Sequence, residues 1–384
     1  MSDLWLISAP GNKTVAETWE KLGRATGSES VNHKFPIPDL KVGTLDQLVG
    51  LSDDLAKLDT YAESVMRKVV SYFAEVLDDD RAKLFENLLV SNKEPKEYVC
   101  KFSWESAKYP VKQSLKAIAE IISKQVTQID GDLKTKATTY NNLKNNLASL
   151  ERKATGSILT KDLAEVVKKD DFITESEYLT TLLVVVPKPL TKDWETSYET
   201  LADMVVPRSS RLLFADNDNA LFSVTLFNKV VEEYKLHCRE SKFIVRDFVW
   251  DENTVMAGKN ERDKLSADLQ KQFGPLVRWL KINFSEVFMA FVHVKALRVF
   301  VESVLRYGLP VNFCAAVLTP AKKGGKRLKE ILNSHFAHLD ASQMSSNIPD
   351  MGEEMPGLMQ LGGQDYYPYV FFKINLDLLD RKQF

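Results

Sequence analysis

The sequence predicts a helix-rich α+β chain, drawn out as an elongated dumbbell: two mixed domains joined by long antiparallel helices. Three observations lead there. Apolar residues recur at steps of three and four over residues 111–153 and again over 273–311. A Val-rich block patterned for strands separates these two stretches. Short apolar runs at both ends of the chain are too few to fold apart, so they make one domain by returning to each other. The boundaries that follow are 1–150 with 275–384 for a discontinuous domain that includes helices of the neck, 160–252 for a middle domain, and 111–155 with 253–274 for the neck helices.

The elements come in this order. Residues 4–8 (LWLIS) form a short strand, and Pro10-Gly11 turns the chain. Val15, Trp19 and Leu22 give a helix over 14–22. Residues 27–39 carry turn residues and two prolines and read as a loop. A long helix begins at Thr44, with Leu45, Leu48, Leu51, Leu55, Leu58, Val65, Val69 and Phe73 in register, and ends near Asp78-Asp79-Asp80. One helix follows to about Leu89, and helix again over 98–108.

Over 111–153 a narrow seam runs Leu115, Ile118, Ile122, Val126, Ile129, Leu133, Ala137, Tyr140, Leu143, Leu147, Leu150, while the other faces are largely Lys, Asn, Thr, Gln and Asp. That is the signature of an extended, coiled-coil-like helix, which needs a partner along its seam. Gly131 weakens it locally without ending it. The polar helix 253–272 is a partner in the same chain.

In the middle block, 181–188 reads as a buried strand and 192–204 as a helix. Residues 205–214 read as a strand that Pro207 confines to an edge or forces to bulge. Asp216 to Asn219 make a turn, 221–227 alternate as a strand, 228–240 are helical, and 242–250 form a last strand. The order β-α-β-β-α-β makes this a ferredoxin-like candidate.

Gly274-Pro275 suits the start of the next helix and Tyr307-Gly308-Leu309-Pro310 its stop. Its charges at 278, 281, 295, 298, 302 and 306 fall on one side, interrupted by Phe288 and Val292, so its middle turns are buried all round. Its longest charge-free run, 287–294, is far short of the roughly 20 residues that span a bilayer. Residues 283–286 offer a break or a second N-cap. A strand over 311–318, a helix over 326–339, a Met/Gly/Pro/Ser-rich linker over 342–364 and a strand over 369–376 complete the chain.

The chain has 384 residues, enough for two domains, with 44% hydrophobic and 27% charged residues, as in ordinary soluble proteins. Its 51 basic and 53 acidic side chains leave a net charge of −2, which argues against nucleic acid as a bulk electrostatic partner. Three cysteines, Cys100, Cys238 and Cys314, lie far apart, as expected in a reducing compartment, and residues 1–10 carry no signal-peptide pattern. A cytosolic location is the expectation.

Chemistry is scarce. Lys323-Gly324-Gly325-Lys326-Arg327 opens a helix whose free N–H groups could hold an anion, but GxxxxGK[ST] is absent and a flexible basic loop explains it. His335 and His338 share a helix without the further ligands zinc requires. Asp78-Asp79-Asp80 reads as a solvated turn. Ser209-Ser210, between Arg208 and Arg211, is a modification candidate set against a plain turn or edge strand. No GxSxG, HExxH or GxGxxG occurs. The expectation is a scaffold with no catalytic residue, cofactor or metal.

Longer strings resemble a known family. LWLISAPGNKT (4–14), VGTLDQLVGLSDDLAKLD (42–59), YPVKQSLK (109–116), LASLERK (147–153), KKDDFITESEYLTTLLVVVPK (168–188), LADMVVPRSS (201–210), ESKFIVRDF (240–248) and the 273–311 stretch are similar to the C subunit of the V-type proton-pumping ATPase (V-ATPase). The resemblance runs from Leu4 to YYPYVFFKI and is weakest over 342–364. It implies a cytosolic-sector stator (peripheral-stalk) protein without nucleotide-hydrolysing residues, in which a head from the middle of the chain holds a stalk of the E and G subunits. A foot from both ends contacts a second such stalk and the cytosolic part of the membrane-embedded a subunit. It further implies peripheral association with vacuolar, endosomal or plasma membranes through the complex, reversible detachment of the sector, and actin binding. Candidate interface residues are Arg208 and Arg211 in the middle domain and Lys322, Lys323 and Lys326 in the basic loop. The competing readings are a nucleotide-binding regulator built on the middle domain and an actin or vesicle tether independent of the pump.

Overall fold

The structure is a computed structural model and describes residues 3–11, 14–173, 176–322, 324–339 and 367–379. In chain order the elements are β1 (Leu4–Pro10), α1 (Val15–Thr26), β2 (Ser30–Lys34), α2 (Leu45–Val76), α3 (Arg81–Asn87), α4 (Pro95–Cys100), α5 (Leu115–Thr155), β3 (Leu179–Pro187), α6 (Thr191–Ser197), β4 (Arg211–Ala215), β5 (Asn219–Phe227), α7 (Val231–Glu240), β6 (Ile244–Arg246), α8 (Glu252–Tyr307), β7 (Phe313–Pro320), α9 (Gly325–His335) and β8 (Val370–Ile374). They fall into two compact units, one of Met1–Ala137 with Pro275–Phe384 and one of Thr138–Gly274.

The first unit is built on an antiparallel sheet of order β2-β7-β1-β8. Strand β1 sits inside it, and its alternation divides the core. Ile7 and Ala9 pack with Leu22 of α1 and Leu328 and Leu332 of α9. Ser8 turns the other way, where its Oγ meets Ser303 Oγ of α8 at 2.8 Å and its carbonyl accepts from the Tyr307 hydroxyl at 2.7 Å. Gly11 follows because nothing larger fits: a Cβ there would stand 2.2 Å from Asn312 Oδ1. The Asn312 amide instead donates to the Gly11 carbonyl, and the Gly11 N–H to the Asn312 carbonyl, at 3.1 and 3.0 Å.

Helix α8 is the core of this unit. Every residue from Val287 to Leu297 is buried, as the all-round apolar pattern predicts. Gly308, at φ 78°, closes the helix with its N–H on the Val304 carbonyl. Two buried residues there are polar, His293 and Lys295. Lys295 does not reach water with the rest of the charge stripe: its Nζ lies 2.8 Å from Asp59 Oδ2 of α2, and Arg298 binds the same oxygen. Helix α5 runs antiparallel to α8 within the unit, with Gln125 Nε2 donating to Glu286 at 2.9 Å and Lys136 over the Trp279 ring. The predicted α5 seam is buried from Leu115 through Leu133.

The second unit carries an antiparallel sheet of order β4-β5-β3-β6. The connection through α6 skips a strand, which is the split, ferredoxin-like arrangement. One face holds Val184, Val186, Phe222, Val224 and Leu226 against Trp194 of α6 and Tyr234 and Cys238 of α7. The other face, Leu183, Val185 and Leu221, is covered by Ile158, Leu163 and Val167. That cover is stapled down by polar groups. Arg246 donates to the Ile158 and Lys161 carbonyls at 2.8 and 3.2 Å. Asp216 accepts from the Ile158 N–H at 3.0 Å, the main reason its carboxyl titrates below the usual range. Asp216 also caps the β4–β5 turn, accepting from Asp218 and Asn219.

Several expectations are corrected. Residues 30–34 are a strand, not loop: β2 is an edge strand whose side chains stay half-exposed or exposed, so backbone pairing to β7 forms it without an apolar alternation. Helix α4 ends at Cys100, and 101–114 has no helix or sheet. Helix α6 ends at Ser197, β4 begins only at Arg211, and β6 spans three residues. Gly274-Pro275 starts nothing: α8 runs unbroken for 56 residues with Pro275 inside it, and 283–286 does not interrupt it. Pro275 stands in an exposed stretch, where water can serve the carbonyl its missing N–H leaves unbonded. The linker 342–364 lies outside the described residues. No helix among the described residues is long and apolar enough to cross a membrane.

Candidate interaction surfaces

In the second unit, 204–212 runs along one edge of β5. Val205 bridges Leu226, and the Val206 N–H donates to the Thr225 carbonyl at 3.0 Å. Pro207 takes the chain out of the ladder, and Ser209 restores it with a side chain: its Oγ accepts from the Thr225 N–H at 3.1 Å and lies 3.3 Å from the Thr225 carbonyl. Ser210 Oγ accepts from the buried Trp194 indole at 3.0 Å. Both hydroxyls are thus committed to the fold, and a phosphate on either would cost these bonds.

Arg208 between them is left-handed, at φ 58°. Its N–H donates to Glu199 Oε1, which also accepts from the Tyr198 hydroxyl, each at 2.8 Å. The Arg208 N–H is the main cause, and the Tyr198 hydroxyl the second, that hold the Glu199 carboxyl below its usual range. The backbone is therefore fixed while the guanidinium stays exposed. Three residues on, Arg211 is exposed at the start of β4, the edge strand, whose register breaks between Leu212 and Phe214.

Sequence reasoning missed the apolar part of this edge. Tyr178, Met204 and Phe227 are 69%, 58% and 39% exposed, too open for core residues of their size. Backbone bonds join them: the Phe227 N–H donates to the Met204 carbonyl and the Asn228 N–H to the Tyr178 carbonyl. Exposed apolar side chains beside exposed cations are a composition seen in protein-binding surfaces. Phe227, out of phase with the inward-facing Phe222, Val224 and Leu226, was the available signal.

In the first unit, Lys322 and Lys326 are exposed around the start of α9, and Lys323 lies outside the described residues. The anion at this helix start is the chain's own. A Cβ on the N-cap residue Gly324 would stand 3.1 Å from Glu29 Oε2, Arg327 Nε lies 3.3 Å from Glu29 Oε1, and the Ala321 N–H donates to the Glu29 carbonyl. Glu29 thus sets a carboxylate beside the start of α9, paired with Arg327. The His335 pKa is lowered, first by burial and then by His338 and Lys21 nearby. Among the described residues no three His, Cys, Asp or Glu side chains converge as metal ligands. Asp80 caps α3, accepting from the Ala82 and Lys83 N–H groups.

Comparison with known proteins places these surfaces in a family. The model of one family, the V-ATPase C subunit, matches residues 4–370. The V-type proton ATPase C subunit of Caenorhabditis briggsae is 62% identical over 379 residues, covering 99% of this chain and 98% of that protein. Its counterpart in Manduca sexta is 59% identical over 99% of this chain and all (100%) of its own length, and the C 1 form of Rattus norvegicus 58% over 100% of both. The chain belongs to the family of V-ATPase C subunits.

Proposed function

We propose that this chain is a non-catalytic stator component in the cytosolic sector of a V-type proton ATPase. In this reading the second unit grips a stalk of the E and G subunits. The first unit meets a second such stalk and the cytosolic part of the membrane-embedded a subunit, so that the chain sits at the membrane only through the complex. The two grips are linked through one chain by α5 and α8, each of which passes from one unit into the other. Each contact is modest, and linkage through one chain makes the pair strong. Loosening one grip then frees the cytosolic sector, which suits regulated detachment.

Family membership over nearly the whole chain is the observation that carries the reading. The exposed cations and apolar residues along 204–212 support a grip there, because their backbone is fixed before any partner arrives. The test is capture of the E–G pair by full-length chain. Arg208→Glu with Arg211→Glu is expected to weaken capture at least tenfold while leaving the fold intact, since both side chains are exposed. Wild-type capture by that double variant removes these residues from the interface. ATP turnover by the purified chain would favour the nucleotide-binding regulator instead. Filament co-sedimentation without E–G capture would favour the tether.

A further inference from the structure

Residues 101–114, between α4 and α5, contain no helix or strand; besides a bridge from Ser114 to Lys41 and the stacking of Phe102 on Phe35, they are held by α8. Lys108 Nζ binds the Glu286 carboxylate at 2.6 and 2.8 Å. The rings of Phe102, Trp104 and Tyr109 close around one imidazole, His293, at centroid distances of 5.1, 4.9 and 4.6 Å. His293 is fully buried, and both ring nitrogens are used. Nδ1 lies 2.8 Å from the Met289 carbonyl, which only accepts, so Nδ1 carries the proton. Nε2 is then the acceptor for the Glu105 N–H, at 3.1 Å. The neutral ring satisfies both bonds; the charged ring would set two donors against each other at Nε2.

We propose that His293 is a proton-sensitive latch: its neutral imidazole fastens the 101–114 segment onto α8, and proton uptake at Nε2 releases that segment. The groups around it offer the charged ring no partner. Within the segment, Lys108 repels it and Glu105 presents a backbone donor. On α8, the Glu286 carboxylate is already taken by Lys108 and by Gln125 of α5, and the Tyr109 hydroxyl donates to Gln125 Oε1. From α4, Tyr98 meets Phe102 and Phe288 and presents a phenol that burial keeps neutral. Burial, with Lys108 behind it, brings the His293 pKa from 6.5 to about 4. The released segment takes up the proton near the ordinary value and the latched one only near 4, so release gains as pH falls below about 6.5. Between pH 7.5 and 5 that gain is roughly 30-fold in the opening equilibrium. The latch does not depend on which partners the chain holds.

The experiment is amide hydrogen exchange of the full chain from pH 7.5 to 5, corrected for intrinsic rates. Peptides from 101–114 are expected to lose protection roughly 30-fold, with those from α9 and β5 unchanged. His293→Gln, which keeps an acceptor but cannot charge, is expected to abolish the pH dependence. Protection that ignores pH, or the same pH dependence in His293→Gln, overturns the latch. Should that variant not fold, the wild-type imidazole resonances decide. His293 is expected to stay neutral down to pH 5. Titration of His293 near 6.5 with the segment still protected overturns the proposal.

Discussion

The two sheets have the same size and different origins. Each has four antiparallel strands with both faces buried. In the second unit all four strands lie between Leu179 and Arg246. In the first, β1 and β2 come before residue 35 and β7 and β8 after residue 312. The local sheet is built around side-chain volume, with Trp194 as its largest buried piece, and Arg246 and Asp216 pin its cover. The remote sheet closes with specific polar fits as well: Ser8 on Ser303, Tyr307 on the Ser8 carbonyl, and Gly11 against Asn312. Neighbours in sequence find each other cheaply, whereas distant segments need contacts that accept one register only.

Cutting volume from the local sheet is the strongest way to break this contrast. Trp194→Ala is expected to cost about 3–5 kcal/mol and to be read in hydrogen exchange as lost protection of β3 and β5. Protection in β1 and β7 is expected to hold, because that core is separate; equal loss in both sheets would erase the distinction. The remote sheet is tested by fit. Gly11→Ala pushes a methyl into Asn312 and is expected to cost about 1–3 kcal/mol, read as a lower denaturant midpoint. A neutral result would mean the β1–β7 approach has slack. The mildest test sharpens the edge of the local sheet. Ser209→Ala removes the hydroxyl that extends β5 past Pro207 and is expected to cost about 1 kcal/mol, with faster exchange at Thr225. Unchanged exchange there would assign that edge to the backbone alone.

The same contrast decides what was legible in the residues. Periodicity found α2, the α5 seam, the buried turns of α8 and the β-α-β-β-α-β succession of the middle block, because these patterns are local. It lost β2, where Ser30, Asn32 and Lys34 form a strand that faces largely outward. It split α8 at Gly274-Pro275, since propensity does not reveal that an exposed proline can be carried inside a helix. It also lost the 157–172 cover of the second sheet, whose apolar residues Ile158, Leu163 and Val167 have neither helical nor strand period. The candidate arginines Arg208 and Arg211 were legible as exposed charge, but the left-handed backbone at Arg208 was not. Lys295 looked like solvated surface because its partner Asp59 lies 236 residues away.

Strand β1 is made about three hundred residues before its sheet neighbours β7 and β8. The nascent first strand, with Leu4, Leu6 and Ile7 uncovered, waits through synthesis of the entire second unit before a partner exists. Translation order therefore gives the second unit a head start and leaves the first dependent on protection of β1 until β7 is made.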